Sequence, residues 1–126
     1  MKEEYLEYEW EFGCEKLKIK VDSYYYGGIC VSLEYAEPEE EVDFGSLTVK
    51  LPNYKLALNE AFIDDFDSEN KCKFIKKYNL GQILPEYGYS GMCRYYKVAF
   101  NMERLAMLDK KGVEQYIKSI EEQETR

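Results

Sequence analysis

The chain has 126 residues, with 17 Lys+Arg against 25 Asp+Glu, a net charge of −8 and a pI near 4.7. That length carries one core and not comfortably two, while 45% hydrophobic and 16% aromatic residues are too many for a disordered acidic tail. No histidine is present, which removes the commonest general base, the commonest metal ligand and the usual near-neutral pH switch.

The charge is concentrated. Residues 1–45 hold 4 lysines against 13 carboxylates, a net of −9, and the remainder holds 13 basic against 12 acidic residues, a net of +1. The N-terminus, Met1-Lys2-Glu3-Glu4, continues in alternating acids and aromatics rather than an apolar secretory segment. No run reaches the roughly 18 to 20 apolar residues that span a bilayer. A cytoplasmic location without a membrane partner is therefore expected, and the four cysteines (Cys14, Cys30, Cys72, Cys93), which form no C-x-x-C pair, read as reduced thiols rather than zinc ligands or a disulfide scaffold.

Along the chain, Leu6, Tyr8, Trp10 and Phe12 alternate with Tyr5, Glu7, Glu9 and Glu11, the period of a one-faced strand. Leu17, Ile19 and Val21 then alternate with Lys16, Lys18 and Lys20, and Ile29, Val31, Leu33 and Tyr35 with Cys30, Ser32 and Glu34. Leu47, Val49 and Leu51 alternate until Pro52 stops the run. Short links, through Gly13-Cys14, residues 23–28 and residues 36–45, argue an antiparallel meander with one wet face. Matching the apolar faces pairs Phe12 with Leu17 and Trp10 with Ile19, which places Glu11 opposite Lys18 and Glu9 opposite Lys20.

After Pro52 the pattern changes. Asp64, Asp65, Asp67 and Ser68 precede a helix expected over 69–78, with Lys76 and Lys77 near its end and Asn79-Leu80-Gly81 as its stop. Residues 85–91 read as loop, and Arg94, Tyr96, Val98 and Phe100 alternate as a fifth strand. Asn101 caps a helix carrying Leu105 and Leu108 that Gly112 interrupts, and Val113, Tyr116, Ile117 and Ile120 recur at helical spacing. The expected fold is a single α+β domain over 1–126, in β-β-β-β-α-β-α order, with an antiparallel four- to five-stranded sheet and two or three helices on one face. Residues 1–51 form its acidic β-meander and 52–126 its mixed half.

Catalytic signals are weak. Asp64, Asp65, Asp67 and Glu69 lack the spacing of a calcium loop and suit a helix N-terminus. A glycosidase pair would need a substrate cleft, which a chain this small does not suggest. Ser90 in Gly88-Tyr89-Ser90-Gly91 has neither the G-x-S-x-G spacing nor a histidine to activate it, and Gly27-Gly28 lacks the lysine and helix of a phosphate loop. No catalytic residue, metal or cofactor is expected. Tyr24, Tyr25 and Tyr26 fall at a turn and offer rigid contact area, but a net of −9 opposes direct nucleic-acid binding beside them. Lys71, Lys73, Lys76 and Lys77 point in several directions on a helix. Glu37, Glu39, Glu40, Glu41 and Asp43 form an acidic run that fits a basic surface on another macromolecule.

Residues 46–105 resemble a small bacterial family of unassigned function found on conjugative and other mobile elements of Gram-positive bacteria. The resemblance rests on Leu47-Thr48-Val49-Lys50-Leu51-Pro52-Asn53-Tyr54, Ala61-Phe62-Ile63-Asp64, Asn79-Leu80-Gly81 and Tyr89-Ser90-Gly91-Met92-Cys93, ending in a strand with Phe100. In that family a Thr-Asn-Asn-like segment follows the Ile-Asp pair, where this chain has Asp65-Phe66-Asp67. The resemblance supplies no catalytic residues. It implies a setting in which small acidic proteins disable host defence, anti-CRISPR inhibitors of Cas9 among them, and such nucleases hold nucleic acid in positively charged channels. The expectation is a non-enzymatic inhibitor whose partner is a basic nucleic-acid-binding protein, in particular a CRISPR nuclease. It would bind through Glu37, Glu39, Glu40, Glu41 and Asp43 with Tyr24, Tyr25 and Tyr26 as anchor, as a monomer or weak homodimer. Two alternatives are an accessory conjugation module self-associating through Val113, Tyr116, Ile117 and Ile120, and a small metal-dependent enzyme using Asp64, Asp65 and Asp67.

Overall fold

The computed structural model describes residues 5–25, 27–36 and 43–124. Its architecture is α+β. The elements follow as β1 (Leu6–Trp10), β2 (Gly13–Ser23), β3 (Ile29–Tyr35), β4 (Asp43–Ser46), β5 (Thr48–Val49) and β6 (Glu60–Ile63), then α1 (Ser68–Lys77), β7 (Gly81–Ser90), β8 (Cys93–Phe100), α2 (Met102–Leu108) and α3 (Lys110–Glu124). The strands divide into two antiparallel four-stranded sheets, ordered β1-β2-β3-β4 and β5-β6-β8-β7. Residues 46–48 stitch them together. Leu47 N–H donates to the Val31 carbonyl at 2.9 Å, and the Leu47 carbonyl accepts from Asp64 N–H at 3.0 Å.

The first sheet keeps the expected apolar face, with Leu6, Tyr8, Leu17, Ile19, Val31 and Leu33 buried. Its first hairpin does not keep the expected register. Glu11 and Phe12 form a two-residue turn closed by Gly13 at φ 127°, so Leu6 pairs with Leu17, Glu7 with Lys16 and Glu9 with Cys14. A glycine accepts this left-handed backbone without a Cβ penalty, so a tight turn beats the longer link that face-matching suggests. Lys18 and Lys20 instead reach Glu34 of β3, at 3.8 and 3.4 Å.

Three strands appear where sequence periodicity is silent or contrary, the first being β4, which begins inside the expected 36–45 link. β6 is only four residues and almost wholly buried, so it shows no alternation. β7 contains Pro85 and Gly88, which argue for loop, yet it pairs with β8 at the edge of the second sheet. Pro85 falls in a register shift between Leu84 and Tyr87, where its missing N–H interrupts no ladder bond. A Cβ on Gly88 would lie 2.4 Å from the Phe62 ring, so packing explains that glycine.

α1 ends as expected, with Asn79 at φ 55°, its N–H on the Lys76 carbonyl at 3.2 Å and Leu80 N–H on the Ile75 carbonyl at 2.9 Å. Asn101 Oδ1 caps α2 by accepting from Arg104 N–H at 3.2 Å. The helical break falls at Asp109, however, and Gly112 lies inside α3. One cluster of buried side chains joins both sheets and all three helices, from Leu17 and Leu33 through Ile63 and Val98 to Ile75, Leu105 and Tyr116. Among the described residues no helix is long and apolar enough to cross a membrane.

Candidate functional site

The antiparallel order of the first sheet sends the β1–β2 turn and the exit of β3 to the same end. Ala36 N–H still bonds the Lys16 carbonyl at 3.1 Å, and β4 returns from that side at Asp43. The inner face of the sheet here runs on past the helix that covers it. Phe74 of α1 meets Tyr8 with ring centroids 5.4 Å apart, and beyond that contact the aromatics stack outward. Trp10 meets Phe44 at 5.1 Å, Phe12 at 4.9 Å and Phe66 at 6.5 Å, mostly edge to face, while Tyr35 meets Phe44 at 5.4 Å. Phe12 is 72% and Phe66 65% exposed. The Trp10 indole N–H is buried and has no acceptor among the described residues.

Carboxylates neighbour these rings in register or in sequence: Glu11 shares the turn with Phe12, Glu15 stands directly opposite Tyr8 on the same face, and Asp65 precedes Phe66. Asp43 precedes Phe44 but pairs with Glu34 on the opposite, lysine-bearing face, where it adds to Glu34 in raising the Lys20 ammonium above its ordinary pKa. Other acids of the first sheet lie against lysine. Glu7 and Glu9 share a shallow cleft with Lys73 and Lys77 of α1, and Glu34 sits between Lys18 and Lys20. Among the described acids, Glu11 and Glu15 lie at the aromatic end and Asp22 at the other end of β2.

Of the residues expected to form the partner site, the three described ones do not come together. Glu37, Glu39, Glu40, Glu41 and Tyr26 lie outside the described residues. Asp43 is exposed at the aromatic end, whereas Tyr24 and Tyr25 sit in the β2–β3 turn. β2, with 11 residues, separates the two ends by about 30 Å. Tyr25 is 91% exposed. Tyr24 turns inward to share a hydrogen bond with Thr48 Oγ1 at 2.7 Å, and burial pushes its hydroxyl above the ordinary phenol range. It pins the β2–β3 turn to β5. Sequence reasoning missed Phe66, which stands between two aspartates after Ile63-Asp64, and assigned Phe12 to the core because it continues the β1 alternation one step into the turn.

Asp64 and Asp67, two of the other candidate residues, make contacts within the fold. Lys71, 4% exposed, reaches Asp64 Oδ1 at 3.3 Å and lies 5.5 Å from the Phe66 ring centre. Asp67 accepts from Tyr8 Oη at 2.6 Å and from Asn70 Nδ2 at 2.9 Å. Among the described residues no group of three or more Cys, Asp or Glu is arranged to hold a metal ion. All four cysteines are free thiols, and burial pushes that of Cys72 up, away from the reactive thiolate. Val113 and Tyr116 of the apolar stripe of α3 are buried in the core at 4% and 2%, whereas Ile117 is 39% exposed and Ile120 is partly buried. The expected lack of a cleft is also corrected: a groove of about 470 Å³ opens at the β2–β3 end.

No curated protein and no solved structure gives a significant match to the chain. A family described as a domain of unknown function (DUF4313) matches residues 18–120, from within β2 to near the end of α3. That span includes Phe44 and Phe66 and leaves Trp10, Phe12, Glu11 and Glu15 before it. The chain belongs to this domain-of-unknown-function family.

Proposed function

We propose that the protein is a non-enzymatic inhibitor, carried by a mobile genetic element, that docks the aromatic end of its first sheet on a basic nucleic-acid-handling protein. The partner class is a CRISPR nuclease of the Cas9 type, whose guide and target strands lie in positively charged channels. The observation that carries this reading is the convergence of Phe12, Trp10, Phe44 and Phe66, two of the rings more than half exposed, at the end of the sheet that also holds Glu11 and Glu15.

Aromatic side chains supply much of the binding energy at interfaces, and arginine guanidinium groups stack on their faces. A channel that binds phosphate is rich in arginine and lysine, so it complements rings neighboured by carboxylates both in charge and in stacking chemistry. Such complementarity speeds encounter and makes it salt-sensitive. A blocker of this kind needs no nucleophile, base or cofactor.

The test is cleavage of target DNA by guide-loaded Cas9 with rising amounts of the protein. Wild type slows cleavage, and raising salt from about 0.1 to about 0.5 M relieves the inhibition as exposed charges are screened. The exposed-residue variant Glu11→Lys/Asp65→Lys weakens inhibition by about tenfold or more while its unfolding midpoint stays near wild type, and Phe12→Ala/Phe66→Ala does the same. Full inhibition by both variants removes the site. No inhibition and no complex with the nuclease removes the reading.

A further inference from the structure

At the opposite end of the molecule, residues 50–59 connect β5 to β6 without regular structure. This strap is held at several points, among them Asn59, whose carbonyl accepts from Phe100 N–H at 2.7 Å. Tyr89 N–H donates to Tyr54 Oη at 2.7 Å, Ala57 N–H donates to Glu60 Oε1 at 2.9 Å, and Tyr116 Oη donates to the Leu58 carbonyl. The Tyr54 ring also packs edge-on against Phe62 at 4.8 Å. A segment pinned this firmly ordinarily lays its leucines on a core. Here Leu56 is half-buried and Leu58 is 52% exposed. Strap, β2–β3 turn and α3 instead enclose the groove of about 470 Å³, within the range of small-molecule sites.

The groove is lined by both apolar side chains and lysines. Ile29, Leu51, Ala61 and Ile120 line it. Its polar groups are mostly engaged: Tyr24 with Thr48, Tyr116 with the Leu58 carbonyl, and Glu60 with Ala57 N–H and Lys97 Nζ, the last at 3.7 Å. Lys50 and Lys55 remain, in a chain of net charge −8. Lys50 Nζ donates to the Gly27 carbonyl and lies 5.9 Å from the Tyr24 ring centre, which uses one of its three donors. The Glu60 charge is offset by Lys97, so the local balance is positive. The lining holds no arginine fork and no helix N-terminus, the features that grip a doubly charged phosphate. A single carboxylate matches two lysines.

We infer that this groove binds a small amphipathic carboxylate, with its apolar body against Leu51 and Ile120 and its charged end at Lys50 and Lys55. The site is independent of the acidic aromatic end. The test is titration of ¹⁵N-labelled full-length protein with octanoate, octylammonium and 1-octanol, followed by amide shifts. Octanoate produces saturable shifts at Gly28, Val49, Ala57 and Ala61, and octylammonium binds about tenfold or more weakly. Lys50→Gln/Lys55→Gln lowers octanoate affinity by about tenfold and leaves 1-octanol within about twofold. Because Lys50 also holds the β2–β3 turn, Lys55→Gln alone must show part of that loss with an unchanged thermal midpoint. Equal affinity for octanoate and octylammonium, lysine variants without effect, no saturable shifts, or shifts centred on Trp10 and Phe44 would each overturn the site.

Discussion

Gly112 lies inside α3, where alanine ordinarily stabilises a helix by about 1 kcal/mol. Its surroundings reverse that sign. A Cβ there would stand 2.2 Å from Asp109 Oδ2 and 2.4 Å from the Val21 carbonyl oxygen, because α3 passes directly over β2 at this residue. Gly112→Ala is therefore expected to destabilise the protein by about 1 to 3 kcal/mol, the usual range for overpacking, in urea unfolding. A gain in stability would show that α3 can lift from β2 without loss. As sequence, this glycine reads as a helix break; no local pattern distinguishes a break from a close crossing. Tyr24 carries the same lesson. Three consecutive tyrosines before Gly27-Gly28 look like a contact tip, and only the distance to Thr48 shows one of them turned inward.

Among the elements, helices and the first three strands were legible because each carries its own period and stops. Asn79 and Asn101 end and begin helices by backbone and side-chain geometry that a few neighbouring residues dictate. β6 and β7 were not legible. A four-residue strand buried on nearly every side shows no alternation, and Pro85 and Gly88 are tolerated in β7 only because a bulge and the Phe62 ring are there to receive them. The join between β2 and α3 is likewise non-local. Asp109 Oδ1 accepts from Gly112 N–H at 3.1 Å, capping α3, and its Oδ2 accepts from Val21 N–H at 2.9 Å, 88 residues away in sequence. Asp109→Ala removes both bonds and leaves a strand N–H without a partner, at a cost of about 2 to 3 kcal/mol. Hydrogen exchange checks it: Val21 and the first turn of α3 lose protection together. Loss confined to α3 would mean that Asp109 acts as a cap alone.

For the whole molecule, the absence of histidine and the burial of tyrosine set the response to pH. Burial pushes the Tyr116 hydroxyl up to about 12, and it raises Tyr8, whose hydroxyl also donates to Asp67, and Tyr24 further. Each phenol is held neutral in the folded state, while in the unfolded chain it ionises near 10. The sign follows: their contribution is complete below about pH 10 and is lost as pH rises through 10 to 12 and beyond. The urea midpoint is expected to stay level between about pH 6 and 8 and to fall from about pH 10 upward. A step between pH 6 and 8 would contradict this account. The same scale governs charge. Of the net −9 over residues 1–45, the described part is partly met by lysine, Glu34 by Lys18 and Lys20 and the pair Glu7 and Glu9 by Lys73 and Lys77, while Glu11 and Glu15 lie at the end that carries the exposed rings.

The amino-acid sequence by itself determined the α+β class, the apolar face of the first three strands, the end of α1, the start of α2 and the bias of negative charge toward the first third, because all of these depend on neighbours a few residues apart. Only the tertiary structure decided where that charge matters. The two-residue turn at Glu11 and Phe12 exposes a ring that periodicity assigns to the core, the exit of β3 brings Asp43 and Phe44 to the same end, and Phe66 arrives from beyond β6. Tyr24 and Tyr25 are carried to the other end. Convergence of segments far apart in sequence is set by register and crossover, and a hydrophobic pattern of period two is satisfied equally well by several registers.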